Sequence, residues 1–148
     1  MPTLAQNKKA RFEYTVLEKF EAGLALFGAE VKSVRAGGAN LAGTFVTFRE
    51  DTAYITNLRI SPYRFALADA EYDPLRSRAL LLGRKEILYL REKVRTEGLT
   101  IVPLSLYTKG RLIKAEIALV RGKKKWDKRE TIKKREVERE IRRRRSEI

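Results

Sequence analysis

Apolar and polar positions alternate along much of residues 1–120, and the spacing switches to a helical one in two places. Over residues 11–20 the apolar side chains Phe12, Tyr14 and Val16 stand at every second position, as in a strand with one face on a core. The first six residues carry no such pattern and read as frayed. Glu21-Ala22-Gly23 reads as a turn into a second short strand at residues 24–27. Residues 28–36 take helical spacing, with Val31 and Val34 on one face and Gly37-Gly38 as the stop. Residues 44–49 and 53–59 predict two strands around Glu50-Asp51, rich in Phe, Thr, Tyr and Ile. Residues 61–77 hold Pro62 and Pro74 and read as a loop, long enough in so small a domain to suggest a role in function. A second helix is predicted over residues 84–96, where Ile87, Leu90 and Val94 make a stripe and Gly98 ends it. Residues 99–107 and 112–120 predict a third hairpin across Lys109-Gly110, with Pro103 marking an edge or a bulge.

Three hairpins with two helices packed between them make a mainly β fold. Six short antiparallel strands are most economically closed into a small barrel, which removes exposed edges. An open α+β sheet is the alternative. The expected organisation is therefore one barrel domain at residues 1–120 and a separate tail at residues 121–148. The tail holds no Pro and, after Gly122, no Gly, and its large apolar residues are only Trp126, Ile132, Val137, Ile141 and Ile148. Glu130–Lys134, Glu138–Arg142 and Glu140–Arg144 have favourable helical spacing and order. So thin an apolar stripe predicts a segment disordered when free. On a partner it would become a helix roughly 39 Å long.

Charge narrows the class of partner. The 148 residues carry 33 Lys and Arg against 19 Asp and Glu, a net +14. Residues 1–120 account for +6 of this and residues 121–148 for +8, so the tail is the more densely basic part. Such a chain favours polyanions, because each neutralised phosphate releases condensed counterions. Nucleic acid fits; a membrane surface would want a strongly apolar helix face, which is missing. Cysteine and histidine are both absent, which excludes thiolate chemistry and removes the usual general base and metal ligand. No apolar run approaches the roughly 18 residues of a membrane span, and no charged-then-apolar signal opens the chain. The expected location is the cytoplasm. High charge, a single Met and few Asn and Gln lean towards a thermophile.

Three groups of residues carry candidate chemistry. Asp69, Glu71 and Asp73 could hold Mg²⁺ for a nuclease, though a solvated acidic loop explains them as well. Gly37-Gly38 could cradle a phosphate, but helix termination accounts for it. No nucleophile has an activating neighbour, so no catalytic residue, cofactor or metal is expected. The basic tail alone could be a solvated face or a nonspecific RNA anchor. Trp126 tips it towards RNA, because an aromatic in a disordered basic segment has a nucleobase to stack on and no core to enter. Tyr14, Phe45, Phe48, Tyr54 and Tyr107 could also stack bases, with core packing the commoner use. A general RNA-binding or ribosomal protein is thus the reading that composition alone supports.

Several blocks resemble the small protein B (SmpB) family. They are Asn7-Lys8-Lys9-Ala10-Arg11, Phe20-Glu21-Ala22-Gly23-Leu24-Ala25-Leu26 and Gly28-Ala29-Glu30-Val31-Lys32-Ser33-Val34-Arg35-Ala36-Gly37. Asp73-Pro74, Leu80-Leu81-Leu82, Glu97-Gly98 and Pro103-Leu104-Ser105-Leu106-Tyr107 follow. Arg121-Gly122-Lys123-Lys124 and Asp127-Lys128-Arg129 complete the set, in the family's order and over nearly the whole chain. The resemblance implies an oligonucleotide-binding-like barrel with two or three packed helices. It implies binding to the tRNA-like domain of tmRNA and entry with it into stalled ribosomes. There the tail would reach the decoding centre and the empty mRNA channel. Elongation factor Tu and alanyl-tRNA synthetase would be met indirectly, through tmRNA. Asn7, Lys8, Glu21, Leu81 and Lys114 match family positions tied to RNA binding, and Gly122, Lys123 and Lys124 the junction motif. Asp127, Lys128 and Arg129 match the tail motif that licenses rescue. Phe12 stands where many members carry His, Ala79 where Lys is usual, and Trp126 where His or another aromatic is common.

Overall fold

Asn7 starts the first helix in a computed structural model that describes residues 2–63 and 72–122. Its Oδ1 accepts the Ala10 N–H at 3.2 Å, satisfying one of the free donors of α1 (Lys8–Glu13). Before it runs β1 (Thr3–Gln6), and after it β2 (Tyr14–Leu24) and α2 (Gly28–Arg35). Then come β3 (Ala39–Asn40), β4 (Phe45–Arg49), β5 (Thr52–Thr56), β6 (Arg59–Ile60) and β7 (Arg78–Leu81). The remaining elements are α3 (Arg84–Glu97), β8 (Thr100–Lys109) and β9 (Leu112–Gly122). Seven strands form one antiparallel sheet in the order β1-β8-β9-β2-β7-β5-β4, and β3 pairs with β6.

The mainly β class stands, while the count of strands and their closure differ from a six-stranded barrel. Hydrogen bonding runs open from β1 to β4, without a ladder joining the two ends among the described residues. The first six residues are not frayed: β1 pairs with β8 through Thr3↔Tyr107 and Gln6↔Ser105. The expected strand at residues 11–20 starts later, because the Asn7 cap turns Phe12 into a helical residue. Glu21-Ala22-Gly23 is no turn. It lies inside β2, which pairs with β9 from Tyr14↔Gly122 to Gly23↔Lys114, so the expected first hairpin does not form. β7 was not expected at all. Pro103 marks a bulge rather than an edge, since β8 is flanked by both β1 and β9. β9 runs to Gly122, two residues past the anticipated domain boundary, and residues 123–148 lie outside the described part.

Both predicted helices form where the spacing placed them. α2 ends in a Schellman arrangement: Gly37 N–H donates to Val34 O and Gly38 N–H to Ser33 O, at 3.1 and 2.8 Å. Gly37 supplies the positive φ of 88° that this turn needs. Side chains alternate across the sheet, which gives it two occupied faces. On one, Leu24, Ile55, Leu80, Leu106, Ile113 and Ile117 meet Val34 of α2 and Leu90 of α3 in the main core. Each such buried side chain contributes about 1.5–3 kcal/mol. On the other, Val102, Leu104, Ala118 and Val120 pack with Ala10 of α1, beside Tyr14 and Val16. A register shift between Val16 and Glu18 lets β2 serve both clusters.

Candidate nucleic-acid interface

Among the described residues α1 packs over only part of the second face of the sheet, and several of the anticipated RNA-binding residues stand on the remainder. In β2, Glu21 and Gly23 point the same way because they are two residues apart. Glu21 lies opposite Glu116, and Gly23 lies between Lys114 of β9 and Leu81 of β7. Lys114 in turn faces Tyr107 of β8. Thus Glu21, Leu81 and Lys114, separated by up to 93 positions in sequence, form one strip across three strands, which Tyr107 extends to a fourth. Gly23 fits this strip closely, since a Cβ there would sit 3.1 Å from the Leu81 Cβ.

Glu21 is the electrostatic centre of the strip. It accepts hydrogen bonds from the Tyr107 hydroxyl and, at 3.2 Å, from Lys109 Nζ. Tyr107 and Lys109 thus fix the Glu21 carboxylate in place. The bond from Tyr107, then that from Lys109, hold the Glu21 carboxyl below its usual range. The Tyr107 hydroxyl is pushed up, first by burial and then by the Glu21 carboxylate beside it. At neutral pH the pair is therefore a charged acceptor and a neutral donor. Beside them, Lys19 Nζ lies 3.8 Å from Glu116. Leu81 is 64% exposed, an uncovered aliphatic side chain within a polar surface.

The other anticipated residues sit elsewhere. Asn7 is buried and bonded at both ends of its side-chain amide: Nδ2 donates to Pro103 O at 2.9 Å and Oδ1 accepts from Ala10, while its backbone N–H donates to Leu104 O at 2.8 Å. Its contribution to a surface is to hold α1 against the bulge of β8. Lys8 is exposed on the first turn of α1. Gly122 closes β9 opposite Tyr14. Lys123, Lys124, Trp126, Asp127, Lys128 and Arg129 lie outside the described residues, as do Asp69 and Glu71. Asp73, the third of that acidic set, accepts the Leu75 N–H at 2.9 Å as a local turn. Among the described residues there is no cluster of acidic side chains able to hold a metal. Nor is any helix there long and apolar enough to cross a membrane.

A second polar cluster was missed in the sequence. Glu30 and Arg78 are both buried, 48 positions apart, joined by Arg78 Nε and Nη2 to Glu30 Oε2 at 2.9 and 2.6 Å. Arg76 donates to Glu30 Oε1, which also accepts the Phe27 N–H at 2.9 Å and so caps α2. Arg78 Nη1 donates to Leu58 O, and Nη2 lies 3.1 Å from the Tyr72 hydroxyl. Burial pushes the Glu30 carboxyl up, but the bonds from Arg76, Phe27 and Arg78 outweigh it and hold it low. The cluster ties α2 to β7 and so sets where Leu81 emerges. The only signal for it in sequence was an acidic residue at the third position of a predicted helix, which reads as a cap.

The model of the SmpB protein family matches residues 4–147. This chain belongs to the SmpB family. Its relatives include an SsrA-binding protein of Gloeobacter violaceus, 51% identical over 140 residues, which cover 95% of this chain and 91% of the relative. An SsrA-binding protein of Mesoplasma florum is 52% identical over 136 residues, covering 92% and 91%. Among solved structures, a chain of "tmRNA-SmpB: a journey to the center of the bacterial ribosome" superposes with a TM-score of 0.67. It is 45% identical, with 81% of this chain and 84% of that one covered. Family membership accounts for the mainly β fold and for the order of the sequence blocks.

Proposed function

We propose that this protein binds the tRNA-like domain of tmRNA and carries it to stalled ribosomes for trans-translation. The observation that carries this reading is the Glu21–Lys114–Leu81 strip, formed from distant family-matched positions on an open sheet face. Its chemistry suits folded RNA. Lys114 and Lys8 offer cations to phosphates, Glu21 offers an ordered acceptor to a base edge, and Leu81 offers an exposed apolar contact. The names of the relatives and of the solved complex support SsrA RNA and the ribosome as partners. The protein acts as an adaptor in the cytoplasm, without catalysis, cofactor or metal. Elongation factor Tu and alanyl-tRNA synthetase meet it only through tmRNA.

Residues 1–120 form the RNA-binding domain in this reading, and residues 121–148 work on the ribosome. Gly122, Lys123 and Lys124 join the two. Trp126, Asp127, Lys128 and Arg129 engage the decoding centre, and the rest of the tail folds along the mRNA channel. Truncation after Gly122 tests the division. The truncated chain should retain tmRNA binding, somewhat weakened by lost charge, and lose peptide tagging on stalled ribosomes. Trp126→Ala and Ile132→Pro refine the test, the second removing roughly 3 kcal/mol of helix stability without changing charge. Both should impair tagging with RNA affinity nearly unchanged. Near-normal tagging by both would reduce the tail to an electrostatic anchor.

A further inference from the structure

At the far end of β2 from the Glu21 strip lies a cleft beside the Asn7 cap of α1. Glu21 and Tyr14 are roughly 20 Å apart along the strand, at about 3.3 Å per residue. The cleft has a volume of about 160 Å³ and opens between α1 and the start of β4. Tyr14 and Phe45 line it together with Thr100 and Val102, and its polar lining includes Asn7, Lys9 and Glu13. Phe45 is 36% exposed although it begins a strand, and β4 is the edge of the sheet. This ring is therefore accessible from solvent.

The surroundings are basic. Lys9 and Arg11 are exposed on α1, and exposed Arg121 is paired with Thr15 next to the cleft. Glu13 offsets Lys9 across 3.7 Å, an exposed pair that leaves the rim cationic. The chain then continues from Gly122, opposite Tyr14, into Lys123-Lys124-Lys125. Two aromatic rings within a small concavity, ringed by cations, match an unpaired base with its flanking phosphates. An acidic peptide would use the cations but not two aromatic rings.

We infer that this cleft receives a single splayed base of ribosomal RNA, stacked on Phe45 and Tyr14. The choice of ribosomal RNA over tmRNA rests on the function proposed above. The cleft sits where the ribosome-directed tail leaves the fold, and away from the strip assigned to tmRNA. In this arrangement the cleft fixes the body of the protein just before the tail enters its channel.

The test uses the full chain bound to tmRNA and added to stalled ribosomes. Phe45→Leu keeps an apolar side chain against the sheet but removes the stacking ring. It should weaken ribosome association about tenfold, while Phe45→Trp should retain it and tmRNA affinity should stay constant in both. A photoreactive benzoylphenylalanine in place of Phe45 should crosslink to ribosomal RNA. Wild-type association by a folded Phe45→Leu chain, or a crosslink to tmRNA, to ribosomal protein or to nothing, would overturn the assignment. A wild-type chain that binds neither tmRNA nor stalled ribosomes would instead overturn the functional reading beneath it, and the cleft's role with it.

Discussion

Two carboxylates in this protein are held by the same kinds of group and end in opposite situations. Glu30 is held by Arg76, Arg78 and Tyr72; Glu21 is held by Lys109 and Tyr107. The Glu30 side chain is 1% exposed and its partner Arg78 is fully buried, whereas Glu21 is 41% exposed. The difference lies in what each loses on its own. A buried charge left without its partner retains its full desolvation cost, while a surface charge is taken up by water. The inner cluster therefore holds elements together. The outer one keeps donors and an acceptor fixed in place at little cost to the fold, which suits a surface that must exchange water for RNA.

The sharpest way to break the comparison is to remove each carboxylate. Glu30→Ala leaves Arg78 buried and unpaired, and should cost about 3–5 kcal/mol of stability in chemical denaturation. Glu21→Ala should leave the denaturation midpoint unchanged and weaken the tRNA-like target more than a nonspecific duplex. Equal losses on both RNAs would remove the specific role given to Glu21. A Glu30→Ala chain as stable as wild type would show that the buried cluster holds nothing.

Acid offers the next largest contrast. Glu30 has a lowered pKa in the fold, so its stabilisation is complete above its unfolded value of about 4.3. That contribution fades as pH falls through the lower folded value. Wild type should thus lose stability below about pH 4 more steeply than Glu30→Gln, whose amide does not titrate. Glu21 also lies below its usual range, so Glu21→Gln should flatten the acid profile in the same direction but by less, because its carboxylate is 41% exposed. Denaturation midpoints measured across this range would decide, and parallel profiles for wild type and Glu30→Gln would contradict the assignment.

The two clusters also mark what could be read before folding. Hairpin β4–β5, helices α2 and α3 and hairpin β8–β9 follow from local spacing, and the Pro103 bulge from proline's missing donor. Strand β2 escapes a local reading because Glu21-Ala22-Gly23 has turn composition; its extension depends on β9, 95 positions away at Glu21↔Glu116. Helix α1 was legible in principle, since Asn7 before Lys8-Lys9-Ala10 is a capping signal, but the alternation of Phe12, Tyr14 and Val16 outweighed it. Strand β7 was hidden in four residues, one of them an arginine whose burial no local pattern announces. For the site, family matching named Glu21, Leu81 and Lys114 but gave no reason for them to meet. Sheet register supplies that reason. It also adds Tyr107 and Lys109, which matching did not name as RNA-binding.

Smaller effects should separate the shape of the outer strip from its charge. Gly23→Ala places a methyl 3.1 Å from Leu81 Cβ and 3.2 Å from its Cδ1. Rotation about χ1 moves the exposed Leu81 Cδ1 aside but not its Cβ, so β2 and β7 must also give slightly, and stability should change by about 1 kcal/mol or less. The displaced side chain should nevertheless lower affinity for the tRNA-like domain. Unchanged affinity in a binding titration would mean that the apolar contact at Leu81 is dispensable.

The smallest expected effect concerns the two lysines of the strip. Lys114 makes no ion pair within 4 Å among the described residues, whereas Lys109 Nζ lies 3.2 Å from Glu21. A lysine free to neutralise a phosphate releases a counterion, so Lys114→Ala should flatten the log–log salt dependence of RNA binding by about one unit. Its loss should weaken different RNA sequences alike. Lys109 already has its charge offset by Glu21, so Lys109→Ala should change the slope less and act mainly by loosening Glu21. Affinities measured over a salt series for both variants would test this directly. Equal flattening by the two would mean that Lys109 leaves Glu21 for a phosphate when RNA binds. Glu21 would then be free for a base edge in the complex, and its ordering by Lys109 would belong only to the unbound protein.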